Sequence, residues 1–332
     1  MGKAGTLNMI DRYGREIDYI RISVTDRCNL RCVYCMPEEG ILLTSHREIL
    51  RFHEIVHLAG IFASAGIRKI KLTGGEPLVR LQIEQLVKEL KGTEGIEQVT
   101  LTTNGILLRE KAGALVQAGI DGVNISLNSL DPEEYRQITR REELGKVWEG
   151  FQEMRKYPEV PVKINCVSME QSPSGICRTA AIARDYPVHV RLIEMMPIGL
   201  GESCKGRSEE ELLQILEKEF GSGTPITEKL GNGPCHYVQF EGFQGKIGFI
   251  SAMSHKFCDR CNRIRLTSQG YLKTCLQYDR GVDLREPLRT GASDHMLREL
   301  ILQAVSHKPA SHAFTEKVSR EREEKFMSQI GG

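Results

Sequence analysis

Three features are scarce in this 332-residue sequence, and each scarcity excludes a class of protein. No apolar run approaches the roughly 18 residues that a membrane-spanning helix needs, and the start of the sequence has no apolar signal core. The net charge is only +1, so an anion site has to be a local cluster of cations. Low-complexity segments and long flexible linkers are missing too. We therefore expect a cytoplasmic globular protein that binds neither membranes nor nucleic acid.

Cysteine, by contrast, is plentiful, with ten residues. In a cytosolic chain, thiols more often bind metals or fill small buried spaces than form disulfides. Four of them stand alone, and we expect core or surface thiols there: Cys166, Cys177, Cys204 and Cys235. The other six form two groups of three: Cys28, Cys32 and Cys35, and then Cys258, Cys261 and Cys275.

Apolar runs alternate with amphipathic stretches from residue 17 to about residue 197. Six runs rich in Val, Ile and Thr predict strands, and the stretches between them, with apolar spacing near 3.6, predict helices. Successive strand–helix units indicate a parallel sheet with right-handed crossovers. Eight units close a barrel, so six predict an α/β fold with an open, partial (β/α)6 TIM-type barrel, whose functional residues lie where strands end.

The alternation ends after Pro197. A loop, a helix, a hairpin and the second cysteine group follow, and then a helical, charged segment. We place a domain boundary near residue 220. Residues 1–220 are predicted to form the partial barrel, and residues 221–332 a smaller C-terminal α+β domain that packs over the barrel mouth.

The first cysteine group lies in "TDRCNLRCVYCMPEEG", in the loop after the first strand. A zinc site needs a fourth ligand and more often uses paired Cys-x2-Cys units. Three thiolates on one loop can instead hold three irons of a [4Fe–4S] cluster and leave the fourth iron open. This Cys-x3-Cys-x2-Cys spacing resembles that of radical S-adenosylmethionine enzymes, whose open iron chelates the amino acid part of S-adenosylmethionine.

The resemblance assigns further residues to S-adenosylmethionine. "LTGGEP" ends the second strand, and glycines there let a backbone approach a ligand closely. The residues that the resemblance places on the cofactor are Tyr34, Gly75, Ser126 and Met196. Alone, the Gly-Gly pair is also typical of a turn, and a methionine is typical of core packing.

The second group, in "FCDRCNRIRLTSQGYLKTC", has two interpretations. With His255 it makes a Cys3His zinc site. Without a fourth ligand it makes a second open cluster, beside which Arg263 and Arg265 point to one face of a strand. Because a structural zinc site gains nothing from two adjacent arginines, we favour a site for a phosphorylated ligand.

These motifs together, with "TTNG" and a final Gly331-Gly332, resemble the GTP 3′,8-cyclase family of molybdenum cofactor biosynthesis. The resemblance implies two [4Fe–4S] clusters, S-adenosylmethionine as the radical source and GTP as the substrate. Cys28, Cys32, Cys35, Arg263 and Arg265 are then the catalytic set, and all six grouped cysteines are metal ligands. The implied substrate-binding residues are Arg21, Lys71, Thr102, Lys163, Arg263 and Arg265.

The family resemblance also implies that the Gly-Gly tail enters the active site, and that a cyclic pyranopterin monophosphate synthase acts downstream. We expect a monomer or a homodimer. One departure is Asn128, where the family usually has an aspartate. Two other functions remain open: a radical enzyme that modifies peptides with an auxiliary cluster, and a zinc-stabilised regulatory or nucleic-acid-binding protein.

Overall fold

The structure is a computed structural model that describes residues 8–228, 230–314 and 323–331. Six parallel strands form its centre, as the apolar runs predict: β1 (Tyr19–Ser23), β2 (Lys69–Thr73), β3 (Gln98–Thr103), β4 (Val123–Ser126), β5 (Val162–Val167) and β6 (His189–Ile193). Helices lie between them: α1 (Phe52–Ala65), α2 (Ile83–Lys91), α3 (Leu108–Gln117), α4 (Pro132–Thr139), α5 (Leu144–Met154), α6 (Pro173–Ala180) and α7 (Ile182–Asp185).

Capping side chains fix the first residues of several helices. The Asp131 carboxylate accepts bonds from the amides of Glu133 and Glu134 at the start of α4, and Pro132 takes the first helical position. The Ser208 hydroxyl caps α8 (Glu209–Phe220), and Glu211 bonds back to the Ser208 amide. Such caps satisfy amides that have no partner inside the helix, and each contributes about 1 kcal/mol.

The later strands extend the central sheet at both edges. They are β7 (Thr224–Ile226), β8 (His236–Gln239), β9 (Ile247–Ile250), β10 (Arg263–Leu266), β11 (Tyr271–Lys273) and β12 (Gly281–Asp283). β9 pairs in parallel with β6, and β10 pairs in parallel with β1. Within the described ranges the strand order is β12-β11-β10-β1-β2-β3-β4-β5-β6-β9-β8-β7, an open sheet of twelve strands. The open, partial barrel is thus confirmed.

The sequence did not predict that the second half of the chain supplies strands to opposite edges of the first. The domain boundary near residue 220 stays a prediction, since one sheet runs through both proposed domains. Among the described residues, three further helices follow β12: α9 (Arg285–Arg289), α10 (Asp294–Ser306) and α11 (Met327–Ile330). In the part of the chain that the structure describes, every helix is too short or too polar to span a membrane.

Strand register decides which side chains enter the barrel. Ile20 and Ile22 of β1 are fully buried, in one continuous core with Ile70 and Leu72 of β2. Arg21 lies between those isoleucines and is in register with Lys71 on β2 and Arg265 on β10. Because side chains alternate along a strand, these three cations share the face opposite the apolar core.

Candidate active site

A cavity of about 670 Å³ runs through the barrel and is lined by residues of all six central strands. Every predicted site residue lines it, although the residues come from distant parts of the sequence. They are Arg21, Cys28, Cys32, Tyr34, Cys35, Lys71, Gly75, Thr102, Ser126, Lys163, Met196, Cys258, Cys261, Arg263, Arg265 and Cys275. The structure thus brings the two cysteine groups to one space. The roles of the individual residues stay predictions.

The first cysteine group forms a compact turn directly after β1. The amides of Cys35 and Met36 both donate to the Cys32 carbonyl, at 2.9 and 3.2 Å. Burial raises the pKa of Cys28 to about 11 and that of Cys32 to about 12. A buried thiol binds metal only as the thiolate, so a bound cationic centre has to supply the stabilisation that these surroundings lack.

The Gly74-Gly75 turn packs against this cysteine loop. Gly75 donates to the Thr25 carbonyl at 2.7 Å, and Glu76 donates to the Arg27 carbonyl at 2.8 Å. A Cβ on Gly75 would lie 2.3 Å from the Arg27 carbonyl oxygen, so a side chain would push the two loops apart. The contact of Gly75 with the cofactor stays a prediction. The close approach of the two loops is a separate reason why this position requires a glycine.

Asn128 links the first cysteine loop to β5. Its side-chain Nδ2 donates to the Tyr34 hydroxyl at 3.1 Å, and its Oδ1 accepts from the Val167 amide at 2.9 Å. An aspartate carboxylate accepts bonds only, so it would need the Tyr34 hydroxyl to become the donor. The amide therefore fits both partners as they stand.

Two predicted cofactor residues stand at the ends of strands that are separated by β5. Ser126 ends β4, and Met196 follows β6. Met196 packs on a small apolar cluster of Ile198, Phe314 and Ile330, which is separate from the main core. This side of the cavity is therefore built partly by residues close to the last described position, Gly331.

The second cysteine group is assembled from two segments. Cys258 and Cys261 flank a short 3-10 turn, while Cys275 follows β11. Burial raises the pKa of Cys261, but the nearby Lys308 ammonium and Arg263 guanidinium outweigh it and lower the pKa to about 7. This thiol is therefore closer to its metal-binding, ionised form than the thiols of the first group.

His255 does not complete a zinc site. Its side chain is 66% exposed, and its Nδ1 lies 3.4 Å from Glu209 Oε2. Within residues 8–228, 230–314 and 323–331, no three His, Cys, Asp or Glu side chains are arranged to bind one common ion. A [4Fe–4S] cluster takes one thiolate for each of three irons instead, so this donor set suits a cluster better than a single zinc ion.

A row of cations occupies the barrel interior beside the second cysteine group. Burial lowers the pKa of Arg265, and repulsion from Arg21 and Arg263 lowers it further. The pKa of Lys163 falls to about 8, first through burial and then through Arg191. Lys163 Nζ also donates to the Leu230 carbonyl. Cations that repel one another in a buried space are stabilised by a polyanion that binds between them.

Sequence reasoning missed one member of this row, Arg191. It lies on β6 in register with Asn165, whose Oδ1 accepts a 2.8 Å bond from the Arg191 Nε. The signal was available, because Arg191 interrupts an apolar strand just as Lys163 does. Thr102 also lies in the cavity, and its hydroxyl accepts a 3.4 Å bond from Asn124.

The C-terminal tail reaches this row of cations. Arg265 Nη1 donates to the Gly331 carbonyl at 2.5 Å. Gly331 has a positive φ of 91°, and a Cβ there would lie 2.8 Å from Ser23 Cβ. The position therefore requires a glycine on two grounds. Gly332 lies outside the described residues.

Comparison with known proteins identifies the family. The profile named Radical SAM superfamily matches residues 22–180, and the one named Molybdenum Cofactor Synthesis C matches residues 188–314. A GTP 3′,8-cyclase from Heliobacterium modesticaldum is 45% identical over 98% of this chain and 100% of its own length. One from Clostridium perfringens is 43% identical over the same shares. This chain belongs to the GTP 3′,8-cyclase family.

A solved structure supports the fold independently. SuiB from Streptococcus suis, bound to S-adenosylmethionine, aligns with a TM-score of 0.59 at 15% identity, over 83% of this chain and 67% of SuiB. At this identity the likeness concerns the fold alone. Membership of the GTP 3′,8-cyclase family, which rests on nearly the whole sequence, sets aside the zinc-stabilised regulatory or nucleic-acid-binding alternative.

Proposed function

We propose that the protein is a radical S-adenosylmethionine lyase that cyclises GTP to (8S)-3′,8-cyclo-7,8-dihydroguanosine 5′-triphosphate, the first step of molybdopterin biosynthesis. The observation that carries this proposal is the row of buried cations beside the second three-thiol site, in the same cavity as the first. A triphosphate neutralises that row, and a purine is large enough to reach from it toward the thiols.

The first cysteine group would hold one [4Fe–4S] cluster with S-adenosylmethionine. Cys28, Cys32 and Cys35 are the ligands, and the cofactor-binding residues are Tyr34, Gly75, Ser126 and Met196. When bound, cluster and cofactor supply a radical that removes one hydrogen atom from a substrate. The chain's own contribution is a compact loop whose backbone bonds fix three half-buried thiols at the cavity wall.

The second cysteine group would hold the other [4Fe–4S] cluster. Its ligands are Cys258, Cys261 and Cys275, and the guanine edge is proposed to lie on the iron that has no thiol. The triphosphate is assigned to Arg21, Lys71, Thr102, Lys163, Arg191, Arg263 and Arg265. Arginine suits this task because its planar fork binds phosphate oxygens in pairs.

Positioning is the main contribution of these residues to the reaction. The hydrogen at ribose C3′ is removed, a bond forms between C3′ and guanine C8, and one electron and one proton from an external reductant and solvent complete the dihydro product. Bond formation requires C3′ and C8 of one nucleotide to be held close together, so fixing base and phosphates at two ends contributes through proximity.

The test is anaerobic reconstitution followed by incubation with S-adenosylmethionine, a reductant and GTP. We expect about eight irons per chain, for two clusters. We also expect 5′-deoxyadenosine and the cyclic product only when GTP is present, with ATP as the control. One zinc and no iron at the C-terminal cysteines would overturn the proposal. Iron at both sites, with turnover only on an added peptide, would favour the peptide-modifying alternative.

The cytoplasmic location, the monomer or homodimer, and the downstream cyclic pyranopterin monophosphate synthase belong to the same proposal. They rest on family resemblance and on the cysteine content of the sequence.

A further inference from the structure

Two buried cations outside the predicted site lie directly behind the second cysteine group. The first is Arg15, on the segment that precedes β1. Its Nε donates to Asp11 Oδ2 at 2.6 Å. Its Nη1 donates to the carbonyls of Cys258 at 2.7 Å and Ala310 at 2.8 Å, and its Nη2 donates to Pro309 at 2.7 Å. One guanidinium thus ties three distant segments together.

The second cation is Lys308, whose side chain lines the cavity. The residue is only 2% exposed, and its ammonium donates to the carbonyls of Arg263 at 3.0 Å and Thr274 at 2.5 Å. Arg263 follows Cys261 by two residues, and Thr274 immediately precedes Cys275. Lys308 therefore holds together the two segments that carry these thiols.

The two cations reach all three cysteines between them. Arg15 bonds the backbone of Cys258 itself, while Lys308 bonds the residues beside Cys261 and Cys275 and also interacts with the Cys261 thiol. The segment that carries Lys308 makes one further contact, from the His312 amide to Cys258 Sγ at 3.5 Å. The first group also receives a remote guanidinium, because Arg140 Nη1 donates to the carbonyls of Arg31 and Met36, both at 3.3 Å, but its turn closes in addition on the Cys32 carbonyl within the loop.

Charge distinguishes the two cations. Arg15 has a carboxylate partner in Asp11, whereas among the described residues Lys308 bonds carbonyls and forms no ion pair with a carboxylate. A buried ammonium is expensive without a counter-charge, and the groups that can supply one to Lys308 are thiols of this cysteine group rather than a carboxylate. A [4Fe–4S] core with three thiolate ligands has a net negative charge, so a cluster at this site would provide that partner.

We propose that Arg15 and Lys308 are positioning residues for the second cluster, Arg15 by fixing the Cys258 turn and Lys308 by joining the Cys261 and Cys275 segments and balancing the charge of the cluster. This inference rests on the proposed assignment of these three cysteines to a cluster. It adds two residues that come from opposite ends of the sequence and that act through the segments carrying the three thiols.

The test reads the second cluster alone, in a chain where Cys28, Cys32 and Cys35 are alanine. We expect this background to bind about four irons after reconstitution, for one cluster. Lys308→Met keeps the length and removes the charge, and it should lower the iron content at least twofold. Lys308→Gln keeps one donor, so the cluster should assemble with a reduction potential shifted to more negative values. Arg15→Lys keeps a positive charge beside Asp11 but removes the guanidinium donors that bond the carbonyls of Cys258, Pro309 and Ala310. It should increase the rate of iron loss to a chelator severalfold.

Arg68→Met is the matched control, because the Arg68 side chain also bonds two backbone carbonyls, but those of Ala63 and Ile67 at the end of α1 rather than those of a cysteine segment. It should leave iron content, potential and chelation rate unchanged. Thermal unfolding of the iron-free proteins reports whether each variant folds. If Lys308→Met does not fold, two measurements still test the inference: the reduction potential of the cluster in Lys308→Gln and the rate of iron loss to a chelator in Arg15→Lys.

Folded variants with unchanged iron, potential and chelation rate would overturn the inference. Cys275→Ala in the same background separates this failure from that of the proposed function. If Cys275→Ala keeps its iron, the cluster assignment is wrong. If it loses iron while the Lys308 and Arg15 variants do not, only the positioning roles are wrong.

Discussion

The two cysteine groups face one cavity, but the chain builds them differently. The first is a single loop of eight residues, Cys28 to Cys35, closed by bonds within its own backbone and by bonds to the end of α4, and burial raises the pKa values of Cys28 and Cys32. The second joins a turn, a strand end and a remote segment, with cations around it that lower the pKa of Cys261 to about 7. A local motif can carry a site that needs only three thiols at fixed spacing. The second site, where we propose that a polyanion binds, takes its charges from several strands.

The largest expected effect separates the two groups. Cys28→Ala should reduce cleavage of S-adenosylmethionine to the uncatalysed background while GTP still binds. Cys275→Ala should abolish the cyclic product but leave some cleavage, because the first group is complete without it. Chromatography of 5′-deoxyadenosine and of the nucleotide product measures both.

Cys204→Ala is the control for this pair, since that thiol lies outside both groups and contacts the Leu200 carbonyl. It should behave as the wild type. Cleavage that persists in Cys28→Ala would show that the first loop is not the radical site.

Arg265→Ala should weaken GTP binding on the order of 10- to 100-fold, since charge-assisted hydrogen bonds contribute about 1.5–3 kcal/mol. It also removes the donor that holds the Gly331 carbonyl. Binding of S-adenosylmethionine should be unchanged. Isothermal titration of each ligand makes the measurement. Arg260→Ala, in the same stretch but with an 80% exposed side chain, is the control and should bind both normally. Normal GTP affinity in Arg265→Ala would remove the phosphate role.

The pH dependence of GTP binding is an independent test of the row of cations, through the charge of Lys163. The pKa of Lys163 is about 8 in the free protein, because burial and Arg191 disfavour its charged form. A triphosphate favours that form, so GTP binding above pH 8 should take up a proton. Affinity should then fall by up to about tenfold per pH unit as the pH rises above 8. Titration calorimetry in two buffers of different ionisation enthalpy measures the uptake.

Lys163→Arg provides the matched variant, because a guanidinium stays charged throughout this range. Its proton uptake between pH 8 and 9 should be smaller than that of the wild type, and any uptake that persists is assigned to Lys71, whose pKa is also lowered by burial. Wild-type binding with no proton uptake in that window would contradict a phosphate contact at Lys163.

The smallest effect is expected for His255→Ala. The ring is mostly exposed and its partner is Glu209, so iron content should match the wild type and stability should change by about 0.5 kcal/mol or less. Metal analysis and thermal unfolding check both values. Iron loss, or zinc that only the wild type retains, would restore the Cys3His interpretation.

Much of the molecule follows from local sequence. The six central strands, the hairpin β8–β9 and the strand carrying Arg263 and Arg265 lie where apolar alternation predicts them. The cysteine spacings locate both groups, and a charge inside an apolar strand points to Arg21, Lys71 and Lys163. Arg191 also interrupts an apolar strand, so the same signal predicts it, although it was not among the predicted site residues.

Other features have no local signal. Nothing near residues 247 or 263 says that β9 joins β6 while β10 joins β1, since edge pairing depends on which strand ends remain open after the barrel forms. Arg15 and Lys308 resemble ordinary surface cations in sequence, and only their carbonyl partners, up to 295 residues away, reveal that they are buried.

By itself, the sequence determined the strand–helix alternation, the two sets of three thiols and the cations that interrupt apolar strands. These depend on spacing along the chain, which short-range geometry translates directly into structure. Tertiary structure alone decided that both cysteine groups share a cavity, that Gly331 lies on Arg265, and that His255 turns to Glu209. Each of these requires segments distant in sequence to meet, and it is the packing of the whole sheet that selects which ones do.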